Sequence, residues 1–346
     1  MAGEFIVMRR PDDWHSHLRQ DELLEKVVPF SNPYGRVTAM GNLTPPIVTV
    51  ADVKRYRMKI LTAGAKFQPI MTIMLVNRTT PEILEKAFAE GVRILKLIPS
   101  GTSTNSDDGI ALTELERFYP VLETARRLSV VFSIHCELVK NHGSEWELPE
   151  WQRETAAISY LRKIIKDIPG LKIVVEHAST EEMISFVKKG PDNVAATLTA
   201  HHALLTYDMV CGKGGKIKNP FLYCKPVAKF EEDRRAVIET MVSGNPKFFF
   251  GSDCAPHPKE KKLGSRPAAG IFTPGQIALP LLIEIFRKAK KIEKLENFTS
   301  RFGAEFYGLP LNQGGITIMR EEWTAPKEYN GIVPFMAGKK LRWKIF

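Results

Sequence analysis

Eight short apolar runs, all but the first followed by a segment of helical pattern, constrain this 346-residue chain more than any other feature. The runs are Glu4–Met8, Arg36–Met40, Gln68–Leu75, Ile94–Ile98, Val130–His135, Lys172–Glu176, Val194–Thr199 and Lys247–Gly251. They are rich in Val, Ile, Phe and Thr and mostly apolar throughout, as strands covered on both faces are. Between them lie Thr49–Ala63, Thr80–Glu90, Thr113–Leu128, Glu150–Asp167, Thr180–Lys189, Glu231–Ser243 and Pro274–Lys290. Threonine caps and glycine stops recur where a helix should begin and end, and Thr113-Glu114-Leu115-Glu116 reads as a capping box.

Strands alternating with helices predict an α/β fold with a parallel sheet. A doubly wound sheet fits the alternation too. The count of eight, with polar residues gathered at strand C-terminal ends, favours a closed (β/α)8 TIM barrel. No G-x-G-x-x-G follows the first run, which counts against a dinucleotide fold. With no linker, composition break or repeat, residues 1–346 are expected to be a single barrel domain. From about residue 292 the pattern changes to a short C-terminal helix and an irregular basic tail.

Hydrophobic residues at 44% and charged residues at 25% are the balance of a soluble globular protein. The apolar runs are strand-length, far short of the roughly 20 residues of a bilayer-spanning helix. Met1–Arg10 has no apolar signal core, and Cys136, Cys211, Cys224 and Cys254 form no C-x-x-C pair. Reduced thiols in a cytoplasmic protein are expected, with no membrane partner. The net charge of +10 is dispersed and accompanies no nucleic-acid-binding motif, so no nucleic-acid partner is expected.

His15-Ser16-His17 is the sharpest local signal. In an extended segment side chains at i and i+2 share a side, so two imidazoles can meet one metal. His135 ends the fifth run, His177 follows the sixth, and Asp253 follows the eighth. A barrel would bring these donors together, and nitrogen and oxygen donors suit zinc. Five ligands exceed the need of one tetrahedral zinc but are too few for two, so an anionic bridge is wanted. Lys96 lies in an otherwise apolar strand. Desolvated and neutral, its amine could react with carbon dioxide to a carbamate with two oxygens for two metals.

With these residues in place, the chain resembles the amidohydrolase superfamily and, more narrowly, the monofunctional bacterial dihydroorotases. The resemblance runs from Pro11-Asp12-Asp13-Trp14-His15-Ser16-His17-Leu18-Arg19 to Phe306-Tyr307-Gly308-Leu309-Pro310. Gly41-Asn42-Leu43-Thr44-Pro45-Pro46, Leu222-Tyr223-Cys224 and Ala255-Pro256-His257 carry it beyond the superfamily's metal set. It implies two zinc ions, one on His15, His17 and Asp253 and one on His135 and His177. Carboxylated Lys96 (N6-carboxylysine) and a hydroxide would bridge them. The implied reaction is the reversible cyclisation of N-carbamoyl-L-aspartate to L-dihydroorotate in pyrimidine synthesis, with Asp253 shuttling the proton. Arg19, Asn42 and His257 would bind the substrate carboxylate, and the family uses backbone groups at positions matching Leu222, Ala269 and Gly270. The small, polar loop Ser100–Ser106 reads as a mobile lid, with Ser103-Thr104 where the family commonly has two threonines. Relatives are often dimers, so a homodimer stands as the analogy.

Another cyclic-amide hydrolase, such as a hydantoinase or dihydropyrimidinase, could use the same metal centre, but uncharged rings do not need the carboxylate site. A catalytically dead barrel serving as a protein partner predicts missing ligands, and none is missing. His142 and His201 read as loop or surface residues; His202 matches a family histidine without an arguable role.

Overall fold

Eight parallel strands form in sequence order, but the first is not the run that the apolar pattern selects. The computed structural model describes residues 4–141 and 143–346, so His142 lies outside the described residues. The strands are β1 (Phe5–Arg9), β2 (Asp12–Ser16), β3 (Arg36–Ala39), β4 (Gln68–Met74), β5 (Ile94–Leu97), β6 (Val131–Ile134) and β7 (Ile173–Val175). They continue with β8 (Val194–Leu198), β9 (Phe248–Phe250), β10 (Gly315–Met319), β11 (Trp323–Thr324), β12 (Lys340–Leu341) and β13 (Lys344–Ile345). The barrel sheet runs β2 to β9 in order. Its seam closes where the Asp253 amide donates to the His15 carbonyl at 2.9 Å and the His17 amide to the Cys254 carbonyl at 2.9 Å.

The expected first barrel strand, Glu4–Met8, is instead β1, which pairs antiparallel with β10 outside the barrel. The reason is visible in its alternation. Phe5 and Val7 face solvent while Met8 is buried, the mark of a sheet with one covered face. The true first strand, β2, reads Asp-Asp-Trp-His-Ser and is buried throughout. An apolar search passes over it because its burial depends on partners. Asp12 receives the Arg36 guanidinium at 3.0 and 2.9 Å, and Asp13 receives the Ser252 amide at 2.8 Å. His15 and His17 are therefore at the end of the first barrel strand and just past it, rather than some residues downstream of it.

Period-two alternation explains the other strands. Ile94, Val131, Val174, Ala195 and Phe249 share one apolar cluster in the barrel interior with Trp14. Two residues on, still on the inward side, stand Lys96, Ser133, Glu176, Thr197 and Gly251. The alternate residues, among them Leu95, Phe132, Val175, Ala196 and Phe250, pack in the outer core with the helices. The barrel thus has an apolar floor and a polar layer above it.

The Thr49 cap forms as a reciprocal box with Asp52, but the box expected at Thr113 does not. Leu112–Phe118 is a 3-10 segment, and the α-helix begins at Tyr119 with Pro120 in its first turn. Proline lacks the amide a helix interior needs, so the α-helix starts there. The floor is plugged by Phe302–Phe306 and Tyr307, whose ring stacks on Trp14 at 4.4 Å. Gly303 is required there: a Cβ would lie 2.0 Å from the Trp14 indole nitrogen. The tail is not irregular. β10 and β13 extend the β1 sheet and β11 pairs with β12, while buried Trp343 donates to Glu284 at 2.8 Å. Aromatic anchors (Trp323, Phe335, Trp343) hold the tail in the core despite its basic composition. Among the described residues no helix is long and apolar enough to cross a membrane.

Candidate active site

The strand ends bring the expected donors to one place. The Asp253 Oδ1 lies 3.4 Å from His15 Nε2 and 3.3 Å from His17 Nε2. His177 joins from β7, its ring 5.0 Å from that of His15, and its Nε2 is 3.1 Å from His135 Nδ1. The amine of Lys96 stands among them from β5, fully buried and with no hydrogen-bond partner. These six residues line one small cavity with Arg19, Asn42, Ser103, Thr104, Ala269 and Gly270. A surface groove of about 710 Å³ between helices Arg153–Asp167 and Glu181–Lys189 holds none of these groups.

Partners on the far side of each ring decide which nitrogen faces the cavity. His15 Nδ1 lies 2.7 Å from Glu176, His17 Nδ1 3.0 Å from Asn42 Oδ1, and His135 Nε2 2.7 Å from Glu137. Each partner atom is an acceptor, so each of these ring nitrogens carries the proton and the opposite one keeps its lone pair. Burial pulls the His17 pKa down to about 4, which keeps that lone pair available at neutral pH. Burial also pulls Lys96 down to about 8, toward the neutral amine. Three oriented imidazoles, a carboxylate and an orphaned buried amine fit a metal centre bridged through that amine.

Two of these positions hold unusual backbone. His177 (φ 42°) and Asp253 (φ 43°) are left-handed, as is Arg19 (φ 62°), a conformation costing about 1–2 kcal/mol for a residue with a side chain. The surroundings of Asp253 hold it there. Asp13 accepts from the Ser252 hydroxyl at 2.5 Å and from the His15 amide at 3.2 Å, tying β2 to the turn after β9. Burial raises the Asp13 pKa to about 6.

At the outer end, Arg19 Nε donates to the Pro256 carbonyl at 2.8 Å, and its Nη2 lies 2.9 Å from His257 Nε2. The same Nε2 is 3.0 Å from the Ala269 carbonyl. Burial, then the Arg19 charge, drives the His257 pKa down to about 2, so the ring is neutral. A neutral ring satisfies one contact at a time: it accepts from Arg19 in one tautomer or donates to Ala269 in the other. The loop Ser100–Ser106 lies across the cavity. The Asn42 amide donates to the Thr104 carbonyl at 3.2 Å, and Asn105 donates to the Asn42 carbonyl at 3.3 Å. Gly270 (φ 146°) passes so close that a Cβ would meet the Ala255 carbonyl at 2.6 Å.

Leu222 does not line the cavity, and its amide is spent on the Asn219 carbonyl at 3.1 Å. Lys225, three residues on, lines it instead and pairs with Glu150 at 3.5 Å. Sequence reasoning passed over Lys225 along with Asp13, Glu137 and Glu176. Glu176 carried a readable signal, a carboxylate at the end of an apolar strand beside a candidate ligand; the others carried none. His201 is not a surface residue. It is fully buried, with neither ring nitrogen partnered, beside His202 and Cys224.

No family model matches the chain. It is 38% identical over 349 residues to a dihydroorotase of Teredinibacter turnerae, covering 98% of each chain. A dihydroorotase structure from Saccharomyces cerevisiae, in complex with 5-fluoroorotic acid, superposes with a TM-score of 0.92 at 31% identity, covering 99% of this chain and 98% of that one. One from Campylobacter jejuni gives 0.89 at 34% identity, covering 100% and 98%. An L-hydantoinase from Arthrobacter aurescens, at 16% identity and a TM-score of 0.80 over 98% of this chain and 83% of that one, shares the fold alone.

Proposed function

This chain belongs to the dihydroorotase family and has its activity, the reversible cyclisation of N-carbamoyl-L-aspartate to L-dihydroorotate in pyrimidine biosynthesis, and we propose that two zinc ions at the C-terminal mouth of the barrel serve it. His15, His17 and Asp253 would hold one ion, His135 and His177 the other, and Lys96, as its carbamate, would bridge them. The observation that carries this reading is that three oriented imidazoles line one small cavity with the orphaned Lys96 amine. When bound, the pair of ions supplies a water of lowered pKa and polarises the amide carbonyl.

The chain's own residues do the rest. Asp253 turns Oδ1 toward the two imidazoles, and its other oxygen takes the proton of the attacking water and returns it to the ring nitrogen that leaves. In the cyclising direction the same oxygen removes the proton from the attacking carbamoyl nitrogen. Arg19, Asn42 and His257 bind the substrate carboxylate, with the Arg19 fork supplying a charge-assisted contact in a buried setting. The backbone of Ala269 and Gly270 forms the opposite wall, and Ser103 and Thr104, as the lid, exclude water. Leu222 contributes only if its segment shifts.

Four buried free cysteines support a reducing, cytoplasmic compartment. Pairing of β1 with β10 supports a single domain over residues 1–346, and a homodimer is the assembly carried from relatives.

The test is turnover of L-dihydroorotate and of hydantoin by zinc-loaded protein, with metal content measured. Dihydroorotate turnover with two zinc ions per chain is expected. Hydantoin turnover at a comparable rate, or full activity with the metal stripped, would overturn the reading.

A further inference from the structure

Lys262, on the short helix Lys259–Leu263, is buried behind the wall of the cavity. Its ammonium donates to three backbone carbonyls: Tyr223 at 3.0 Å, Ala268 at 2.9 Å and Gly270 at 2.6 Å. Three acceptors match the three protons of an ammonium. Burial, and then the Arg19 charge, pull its pKa down to about 7. The Gly270 amide also donates to Tyr223, at 3.0 Å, so the two wall segments are held together twice.

The arrangement has a consequence for the carbonyl between the two that Lys262 holds. The carbonyls of Ala268 and Gly270 are turned to Lys262, while that of Ala269 is turned to the lid and to His257. There the Thr104 hydroxyl of the lid lies 3.3 Å from it and His257 Nε2 3.0 Å. We propose that Lys262 is a positioning residue: it fixes the Ala269 carbonyl as the ledge on which the closing loop and the His257 ring seat themselves over the substrate. It touches no reacting atom and acts through binding. The inference rests on the reading that this end of the cavity holds the substrate carboxylate.

The test is a double-mutant cycle on L-dihydroorotate hydrolysis. Lys262→Met is expected to raise KM about tenfold with kcat within about threefold, because the ledge contributes to binding and not to chemistry. Thr104→Val is expected to raise KM by less. The double variant should be no worse than Lys262→Met within about twofold, since both act through one carbonyl. Lys262→Arg, which keeps a multidonor cation, should recover part of the loss. An unchanged KM in Lys262→Met, or effects that multiply in the double variant, would overturn the proposal. Should Lys262→Met fail to fold, Lys262→Gln enters the same cycle with the same two outcomes. Absence of wild-type turnover would sink the functional reading itself, whereas KM ratios among active variants bear on Lys262 alone.

Discussion

His15, His17 and Asp253 bring three donor atoms within 4.8 Å of one another, and so do His201, His202 and Cys224. Both triads are buried, and both contain residue types that bind zinc. They differ in what the lone pairs are doing. In the first, the outer ring nitrogens are tied to Glu176 and Asn42, which leaves both inner nitrogens free beside a carboxylate. In the second, His202 spends both nitrogens, 2.9 Å from the Thr199 hydroxyl and 2.9 Å from the Pro226 carbonyl. The Cys224 thiol lies 3.3 Å from the same carbonyl, and burial raises its pKa far above neutrality, so no thiolate is present. A cation needs deprotonated ligands with free lone pairs, not merely nearby donor types. The first triad is arranged as a ligand set, the second as a knot joining the end of β8 to the segment that carries Lys225.

Four substitutions can break or sharpen this contrast. The largest effect is expected from Asp253→Ala, which removes a proposed ligand and the proposed proton carrier together. Its kcat on L-dihydroorotate should fall by about 10²–10⁴-fold with the far-UV dichroism unchanged, and a variant with wild-type rate would refute the assignment. Next comes Glu176→Gln, which leaves every proposed ligand in place but takes the charged acceptor from His15. Zinc retained after dialysis, and activity with it, should fall about 10–100-fold. If neither moves, the orientation of the ring is not set by Glu176.

His201→Leu should leave turnover within about threefold but change the acid profile. Burial holds the His201 pKa at about 4, below its ordinary 6.5. As pH falls from 6.5 toward 4 the unfolded chain takes a proton that the folded site refuses, so folding stability is lost over that window. The variant lacks this group. Between pH 7 and pH 4 its urea-derived stability should decline by about 3 kcal/mol less than that of the wild type. An identical decline would show that His201 has another partner for its proton. The smallest effect is expected from Cys224→Ala: unchanged zinc stoichiometry, activity within about twofold, and a loss of about 1 kcal/mol in stability. Loss of one zinc per chain would make the second triad a metal site after all.

Much of this molecule was legible in the chain. The barrel, the His15–His17 pair, His135, His177, Asp253 and the odd Lys96 follow from apolar runs and from chemistry-bearing residues at their ends. The period of two places every second residue inward, so Lys96 is on the side of Ile94 and Glu176 on the side of Val174. Legibility failed where burial depends on a partner far away in sequence. Asp12–Ser16 has the composition of a surface turn, yet it is a buried barrel strand because Arg36 and Ser252 satisfy its carboxylates. Phe5–Arg9 has the composition of a core strand, yet lies outside the barrel because Gly315–Met319 offers it an edge more than 300 residues away.

The sequence alone determined seven of the eight barrel strands, the alternation and the donor set, because these are local: a backbone period and a residue type act over a few neighbours. Tertiary structure decided which nitrogen of His15 and His17 faces inward, and that the second triad keeps a free ring lone pair on His201 alone. It also decided that a lysine outside the donor set, Lys262, holds the carbonyls on either side of Ala269. Those outcomes depend on hydrogen bonds between residues brought together by closure of the barrel, with strength set by the water that closure excludes.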